Sequence, residues 1–594
     1  MKLRLMAAML IGCAFATGET SDAETTPKSP VKTKIKENAT DTTKPKVNIV
    51  PADAETIPPA EEAPGVEAAI PGPVKELGEP AMMNFPNGIQ MAVTAATDKA
   101  QAHVNQGLNH LHGGWEFQAS RHFAAAMHED PECLLAHWGM AMSLLTPSPE
   151  TGPARNAATD RLLDLVDAGK GSELERGYAY GLIKYIENGS TGAAIAFQKV
   201  ANQFPNDLQA GIFAALFGRT GYDEFGGATP GQEAAEKSLL AMIEKNPQSP
   251  LPLNALLSIR AEGPDLSLSV DLARKLCQMA PDYAPYHHLL GHYEWRTGQH
   301  GKAIAAFGRA TTLYDLWMKE NKASLADCPE WVKAECYRIV ALVSKGDFDS
   351  AYAAARQIAA TPLPARRSAS PGVRMLLWDA KTLPSRILLH RGLRGNANEA
   401  LHSLPKPADL MDSHQKSLAY WWIDGVRIAL ESRRLIDDGK IDEARNAIAA
   451  ITHHGEAMSK TQAAANASGE RSAWNRSFRA LEILASDLRG RLALAGPKDR
   501  RGTAYNWFAA AVERQHPAPM MFPPMILTPM ANRLGEYYLA MGQSKEAIES
   551  YQRALTSFPN DMNALLGLKS AFDQAKQPDD AAGTEKKIED LRAQ

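Results

Sequence analysis

The sequence predicts an all-α protein, an α-solenoid of tandem helix-turn-helix repeats wound into an irregular superhelix. Two observations lead to this prediction. A glycine, a small alanine, an aromatic residue and a second small residue recur at intervals of 12, 4 and 3 residues in four stretches of the chain. Alanine and other helix-forming residues dominate between these positions. A unit repeated at a fixed length is typical of helical hairpins that stack on one another.

The repeated positions are small residues, aromatic residues, a leucine and helix-ending prolines. They are Gly107, Ala119, Phe123, Ala126, Pro131, Gly181, Ala193, Phe197, Gly291, Ala303, Phe307, Ala310, Leu534, Gly535, Tyr538, Ala547, Tyr551, Ala554 and Pro559. The pattern resembles the tetratricopeptide repeat. This resemblance implies two antiparallel helices in each repeat and a concave groove lined by the first helix of each hairpin.

The spacing in the last copy follows from how two antiparallel helices pack. Gly535 has no side chain where the helices cross, and we expect Ala547 to be the small residue that approaches it. Tyr551 and Ala554 lie on the same helix face as Ala547, so the tyrosine ring should fill the gap between hairpins. Pro559 ends the second helix, because proline lacks an N–H group and disfavours helix in the residue before it.

The distances between matched glycines predict an irregular array. Gly107 and Gly181 are 74 residues apart, and Gly181 and Gly291 are 110 residues apart, neither of which is a multiple of 34. Several connections must therefore carry insertions, and stretches rich in proline and glycine predict loops near 218–231, 361–372 and 515–530. From residue 90 onward we expect about ten to thirteen hairpins.

Length and charge restrict the function. At 594 residues the chain is too long for one compact core, and a solenoid escapes this limit because each repeat buries its face only against its neighbours. The formal net charge is -4 with mixed signs, so no basic field indicates nucleic acid or an anionic membrane surface as a partner. The sparse cysteines after the N-terminus form no Cys-x-x-Cys pair, and we expect buried free thiols.

The start of the chain, residues 1–16, is predicted to be an export signal. Two basic residues precede an apolar run that is too short to cross a bilayer. The run Leu10-Ile11-Gly12-Cys13 resembles a bacterial lipobox, which implies cleavage before Cys13 and lipidation of its thiol. Ordinary signal cleavage after Ala16 is the alternative. We therefore expect an outer-membrane lipoprotein that faces the periplasm or the cell surface, or otherwise a periplasmic protein.

Residues 17–84 are predicted to be a disordered, proline-rich tether. No aromatic residue occurs in this stretch, and ten prolines interrupt a background of Thr, Lys, Glu and Ala. A segment of this composition buries too little apolar surface to fold, and its prolines stiffen it. The repeat solenoid then occupies residues 85–594, held away from the membrane by the tether.

Both ends of the solenoid resemble a group of uncharacterised exported bacterial tetratricopeptide proteins. Near the start, Asp130-Pro131 is followed by Cys133 and by Trp138-Gly139, where that group shows a helix ending in Asp-Pro-x-Cys and then a Trp-Gly helix. Near the end, Pro523-Pro524 precedes the last clear repeat. That group usually has an acidic residue before the two prolines, whereas Phe522 stands here, which weakens a polar role for the loop. The resemblance implies no established activity.

Histidines concentrate on the first helix of one clear repeat. His288 and His292 are one helical turn apart, so both rings could reach one metal ion, but a third ligand is not evident and no His-Glu-x-x-His pattern is present. We favour a groove-lining role without metal. His287, His288, His292 and Trp295 are predicted to contact a partner, with the histidine pair reachable from the groove.

A second cluster lies in the proline-broken loop before the last repeat. His516, Met520, Met521, Met525 and Met530 could bind Cu(I) through their soft sulfur atoms. Methionine also packs readily into irregular apolar gaps. We favour packing of the loop onto the last hairpin.

No Ser-His-Asp order, phosphate-binding glycine loop or paired-carboxylate motif stands out. The sequence therefore predicts a non-enzymatic envelope scaffold, without a cofactor, that binds a peptide or protein segment through the concave face of its repeats. Contact with a membrane is expected only through the lipid anchor. The alternative is a metal-binding protein or an enzyme centred on the histidine clusters.

Overall fold

A computed structural model describes residues 65–146, 148–223, 226–364, 366–393, 395–406 and 417–593. The predicted signal, Cys13 and the first part of the predicted tether lie outside these residues. Within them, the regular secondary structure is helical, apart from one antiparallel bridge between Tyr222 and Ala228. The prediction of an all-α chain is confirmed.

The α-helices follow one another along the chain. They are α1 (Gly72–Leu77), α2 (Asp98–His112), α3 (Glu116–Glu129), α4 (Leu134–Ser143), α5 (Gly152–Asp167), α6 (Glu173–Gln203), α7 (Leu208–Gly218), α8 (Pro230–Lys245), α9 (Pro250–Arg260), α10 (Val270–Met279), α11 (Ala284–Arg296), α12 (His300–Asn321), α13 (Pro329–Lys345), α14 (Phe348–Ala359), α15 (Pro371–Met375), α16 (Leu383–Arg391), α17 (Asn396–Ser403), α18 (Ala419–Asp437), α19 (Ile441–Ser468), α20 (Arg471–Ala495), α21 (Ala504–Arg514), α22 (Met530–Ala540), α23 (Ser544–Ser557), α24 (Met562–Gln574) and α25 (Pro578–Ala593). A π-helical turn, Leu376–Ala380, follows α15.

Successive helices pair as hairpins from α2 to α25, and the hairpins stack into an α-solenoid. The long helix α6 provides both helices of one repeat, because Gly189 interrupts it with a left-handed φ of 65°. The three loops predicted from proline and glycine are confirmed, since they separate α7 from α8, α14 from α15 and α21 from α22.

The glycines of the repeat make room for aromatic rings. A methyl group at Gly107 would lie 2.7 Å from the ring of Phe123, and the same ring also fills the space beside Gly139 on the next hairpin. In the last copy the ring that faces Gly535 belongs to Tyr551, 2.7 Å from where a methyl group would lie, and the approach of Ala547 to this glycine stays a prediction. Each ring therefore joins two helices of one hairpin to the hairpin that follows, as predicted for Tyr551.

Successive turns of the superhelix also pack on each other. Arg121 on α3 donates a hydrogen bond to Asn321 at the end of α12 (2.7 Å), and Trp317 donates to Gln118 (3.0 Å). Near the C-terminus, Asn560 donates to the carbonyl of Gly298 (3.1 Å). The expectation that each repeat buries its face only against its neighbours is therefore wrong, because repeats far apart in sequence also meet.

The last part of the predicted tether is ordered, so the prediction of disorder is wrong for residues 65–84. These residues form a 3₁₀ turn, Val66–Ala69, and the short helix α1. Ala69, Ile70 and Val74 are buried, with the turn against α5 and α1 against α3. The aliphatic residues here supply the apolar surface that the absence of aromatic residues concealed.

The four cysteines of the described residues are buried and free, as predicted. They are Cys133, Cys277, Cys328 and Cys336. Burial raises the pKa of the Cys133 and Cys277 thiols to about 12, which keeps them protonated and unreactive at neutral pH.

Candidate binding groove

Two extended stretches of the chain lie along the first helices of the hairpins, on the concave side of the solenoid. One is residues 79–96, which we call the N-terminal strap. The other is residues 515–529 between α21 and α22, which we call the groove segment. Both are held mainly by hydrogen bonds between side chains and main-chain atoms.

Amide side chains on α2 clamp the N-terminal strap. Asn105 accepts from the amide of Met91 (2.9 Å) and donates to the carbonyl of the same residue (3.2 Å). Asn109 does the same with Ile89, at 2.8 and 3.3 Å. An asparagine amide carries one acceptor and one donor group, so each side chain satisfies both polar groups of one extended residue.

The strap continues across the next two hairpins. The carboxylate of Glu175 on α6 accepts from the amide of Thr94 (2.8 Å), and that of Asp130 accepts from the amide of Ala96 (2.7 Å). Gly88 lets the strap approach α2, because a methyl group there would lie 2.5 Å from the Asn109 side chain. The strap is therefore recognised through its backbone along most of its length.

Met520 lies at the tip of the groove segment, where the segment contacts Glu262 and His288. Glu262 accepts from the Met520 amide (3.0 Å), and Nε2 of His288 on α11 lies 3.3 Å from the Met520 carbonyl, to which it must donate. The hydroxyl of Tyr337 on α13 contacts two carbonyls of the segment, those of Phe522 (2.7 Å) and Pro519. Three inner elements thus hold the tip through main-chain atoms.

Two arginines hold the returning half of the segment. Arg476 on α20 donates to the Pro523 carbonyl (3.2 Å), and Arg386 on α16 donates to the Pro524 carbonyl (2.7 Å). Arg476 also pairs with the buried Asp379 (3.4 Å) and places its guanidinium 4.1 Å from the centre of the Phe522 ring. The ion pair fixes the arginine plane, so the ring meets a preformed cationic surface.

The base of the segment is closed by its own hydrogen bonds. The Gln515 side chain donates to the Thr528 carbonyl (2.8 Å) and accepts from the Met530 amide (2.6 Å). Nδ1 of His390 lies 3.0 Å from the Thr528 hydroxyl, while Asn563 donates to Nε2 of the same ring (3.1 Å). Because Nε2 accepts, the proton of the neutral imidazole is on Nδ1. Burial lowers the His390 pKa to about 3, which keeps the ring neutral.

The methionines of the segment are packing residues in this structure. Met525 is buried in an apolar cluster with residues of α18 and α20, and Met520 packs against residues of α10, α11 and α12. Met530, the first residue of α22, is buried with Ile483 and Ala511. The prediction of packing is confirmed, but Met520 and Met525 pack on other hairpins than the last one. A cavity of only about 30 Å³ remains beside the end of the segment, between Thr528 and Arg433. A space of this size holds only a water-sized group or two, so the segment fills this part of the groove.

The predicted histidine pair lines the inner surface, but it is not reachable from solvent. His288 is 4% exposed and His292 is fully buried, and Nε2 of His292 lies 3.2 Å from the Ala261 carbonyl. Burial lowers the pKa of both rings, that of His292 to about 3. The expectation of an open histidine pair is wrong, because the groove segment covers His288. Trp295 is also buried, and His287 is half-buried with a hydrogen bond to the Pro281 carbonyl. Contact of the three histidines and Trp295 with a partner stays a prediction.

Histidines of the first hairpin form another buried group. Nδ1 of His103 lies 3.1 Å from Nδ1 of His122, and the ring of His110 stacks on that of His122 at 5.2 Å. Nε2 of His103 faces Glu79 at 3.2 Å. Across the described part of the chain, no group of three His, Cys, Asp or Glu side chains lies together in a geometry that could hold a metal ion.

Most of the groove contacts leave no signal in the sequence. Tyr337, Arg386 and Arg476 lie outside the four clear repeat copies, and no local pattern marks them. Asn105 and Asn109 did carry a signal, because they are polar residues one turn apart on the first helix of a clear repeat, where apolar residues are expected. The proline-rich composition correctly marked the groove segment as a loop but did not indicate where it packs.

The repeat class is supported by a direct sequence comparison. The family model described as tetratricopeptide repeat matches residues 284–315 and 528–561, which cover α11 with most of α12, and α22 with α23. Together with the stacked hairpins, this defines the fold as an α-solenoid of tetratricopeptide repeats. Such arrays present extended concave surfaces, so the fold suggests a protein–protein interaction scaffold.

Solved repeat proteins show distant likenesses. The chain is similar to the tetratricopeptide-repeat domain of P58(IPK), with 14% identity, coverage of 81% of this chain and 99% of that chain, and a TM-score of 0.20. It is similar to human IFIT1, in a dimer with m7Gppp-AAAA, with 12% identity, coverage of 84% of this chain and 96% of that chain, and a TM-score of 0.33. It is also similar to yeast Tom70, with 11% identity, coverage of 81% of this chain and 90% of that chain, and a TM-score of 0.25. The curated proteins include no match, and we draw nothing about partners from these likenesses.

Among the described residues, no helix combines the length and the apolar composition that crossing a membrane requires.

Proposed function

We propose that this protein is a non-enzymatic scaffold of the bacterial envelope that binds an extended segment of a partner protein on the concave face of its repeats. One observation supports this proposal above all. The inner helices already hold extended backbone at two separate places, through side chains that bond to main-chain amides and carbonyls. Hydrogen bonds to the main chain are the usual source of affinity when an extended peptide is recognised.

The proposed location follows from the N-terminal sequence. Export, cleavage before Cys13 and lipidation of its thiol would leave the solenoid attached to the outer membrane, facing the periplasm or the cell surface. The tether between Cys13 and the strap would allow the groove to move away from the lipid surface. Cleavage after Ala16 would instead release a periplasmic protein.

Photo-crosslinking in envelope fractions tests the partner proposal. A crosslinking amino acid in place of Leu389, which is half-buried on α16 and lines the cavity beside the groove segment, is compared with one in place of Leu268, which is 87% exposed outside the groove. We expect a discrete crosslinked partner with the first chain and not with the second. Crosslinks confined to the Leu268 position, or none with either chain, would contradict binding through the concave face.

Phase partition tests the anchor. Cys13→Ser should move the protein from the detergent phase to the aqueous phase, or shift its cleavage to the site after Ala16, because the lipidated thiol is lost. Cys133→Ser is the matched control, since this buried cysteine lies far from the signal. Unchanged partition of the Cys13→Ser protein would show that another anchor exists.

A further inference from the structure

We propose that the groove segment is an internal ligand, and that its place is the partner site for an extended, proline-containing segment with an aromatic side chain. The partner segment enters the groove when residues 515–529 leave it. This inference rests on the proposed scaffold function and names the chemistry of the partner. Four features of the groove carry it.

The first feature is the kind of atom that the groove recognises. Side chains from α11, α13, α16 and α20 bond to the main chain of the segment, at Met520, Phe522, Pro523 and Pro524. These contacts depend on the path of the backbone and not on the identity of the side chains. Another extended segment with the same path would satisfy them equally well.

The second feature is the excess of donors in the groove. His288, Tyr337, Arg386 and Arg476 all donate to carbonyls of the segment, whereas Glu262 is the acceptor that bonds to a backbone amide at its tip. Proline has a carbonyl but no N–H group, and five of the residues between 515 and 529 are prolines. A groove rich in donors therefore suits a proline-rich ligand, whose extended backbone leaves its carbonyls free to accept.

The third feature is an aromatic position. The Phe522 ring lies under Arg476, whose guanidinium is fixed by Asp379, a side chain that is 1% exposed. Phe522 itself is only half-buried, so one side of the ring site is open. A tyrosine, phenylalanine or tryptophan of a partner would find the same cationic surface.

The fourth feature allows the segment to leave. Gln515 bonds both to Thr528 and to Met530, so the two ends of the loop are joined at its base. Helices α21 and α22 can therefore stay together while the residues between them move out of the groove.

The test uses a labelled synthetic peptide with the sequence of residues 515–529 and the full-length chain. Phe522→Ala in the chain weakens the internal ligand without changing the groove, so the open state becomes more populated and apparent peptide affinity rises by roughly 10-fold. The peptide carrying the same alanine should bind the Phe522→Ala chain roughly 10-fold more weakly than the parent peptide does. Arg476→Lys, which keeps the charge beside Asp379 but loses the planar face, should abolish binding of both peptides. Trp507→Ala, on the outer face of α21, should change nothing.

Two results would overturn the inference. One is a folded Phe522→Ala chain that does not bind the peptide even at a peptide concentration of roughly 1 mM. If the Phe522→Ala chain loses its helical circular dichroism, the Phe522→Leu chain is used in its place. The other is an envelope partner captured equally by the Arg476→Lys chain and the parent, which would place the partner on another surface and leave the scaffold function standing. If neither the parent nor the Arg476→Lys chain captures a partner, the scaffold function is contradicted. The peptide experiment tests separately whether the groove accepts an extended segment in place of residues 515–529.

Discussion

Single residues in this protein control contacts between segments that are far apart in sequence. The ring of Phe123 needs both Gly107 and Gly139, and the ring of Tyr551 needs both Gly535 and Gly567. In each case two glycines on successive hairpins face one ring, so a methyl group at either position would displace it. Close packing of this kind sets the spacing of the repeats.

Alanine substitutions at two glycines of the last hairpin test helix propensity and side-chain packing separately. Alanine favours helix over glycine by about 1 kcal/mol, so Gly583→Ala on the open face of α25 should raise the unfolding temperature. Gly567→Ala on α24 should instead lower the free energy of unfolding by about 1–3 kcal/mol, because the added methyl overlaps the Tyr551 ring. Thermal unfolding of the two variants measures both effects. Equal stabilisation by both changes would show that α24 does not pack on this ring.

The covered histidine pair predicts a stability effect. Replacing His288 and His292 by alanine removes two buried rings and leaves the carbonyls of Met520 and Ala261 without donors. We expect a loss of at least about 2 kcal/mol in unfolding free energy. His287→Ala, on the half-buried side of the same helix, should cost less. An unchanged melting temperature of the double variant would restore the prediction of an open pair.

Buried neutral histidines also predict acid sensitivity. Burial lowers the pKa of His292 and His390 from 6.5 to about 3, so between these values the unfolded chain binds protons that the folded chain does not. Their stabilisation is complete above pH 6.5 and is lost as the pH falls, by up to about 2 kcal/mol for each ring between pH 6.5 and 5. Unfolding midpoints at pH 7.5 and 5 measure the loss. His390→Gln should reduce the slope, and an identical slope would contradict the assignment.

At the scale of elements, the extended segments are as important as the helices. The strap and the groove segment have no hydrogen-bonded partner strand, so their backbone groups depend on side chains of the inner helices. Such a segment is ordered only where the solenoid supplies bonds at the right spacing. This explains why residues 79–84 and 515–529 read as unstructured in the sequence and yet are held in the fold.

The amide clamp of the strap is open to a direct test. Asn105→Ala leaves the amide and the carbonyl of Met91 without partners, at a cost of about 1–3 kcal/mol. Hydrogen exchange at residues 89–93 should accelerate, because these amides would open without global unfolding. Gln198→Ala removes an exposed amide that bonds only to Asn202, and it is the control. Unchanged protection in the Asn105→Ala chain would mean that the strap is held by other contacts.

At the scale of the whole molecule, contacts between repeats that are distant in sequence stabilise the solenoid. Arg121 is 1% exposed and joins the first hairpin to the end of α12, and Arg367 joins Glu150 to the buried Asp327. The bonds of Arg121 to Asn321 and of Arg367 to Glu150 link repeats that are more than one hundred residues apart in sequence. The array is therefore stabilised by long-range contacts as well as by contacts between neighbouring repeats.

Circular dichroism tests the architecture of the whole chain. Because the described residues form helices with a single isolated bridge, the spectrum should show strong helix and almost no sheet. The Gly583→Ala chain should give the same spectrum and serves as the control. A sheet contribution comparable to the helix contribution would contradict the fold.

The sequence by itself determined the repeat. Gly535, Tyr551 and Pro559 recur at offsets that two packed helices require, so local periodicity was enough to predict hairpins, loops and an α-solenoid. It also marked residues 515–530 as a loop, since closely spaced prolines cannot all lie in the first turn of a helix, where proline is tolerated.

Only the tertiary structure decided what fills the groove. The contacts of Tyr337, Arg386 and Arg476 with the groove segment join residues more than one hundred positions apart or lie on different hairpins, and no local spacing encodes them. Whether His288 is open or covered depends on where that segment passes, which the curvature of the stacked repeats sets. Periodicity reports what a helix buries against its neighbours, whereas the path of the superhelix arises from the sum of many small rotations between repeats.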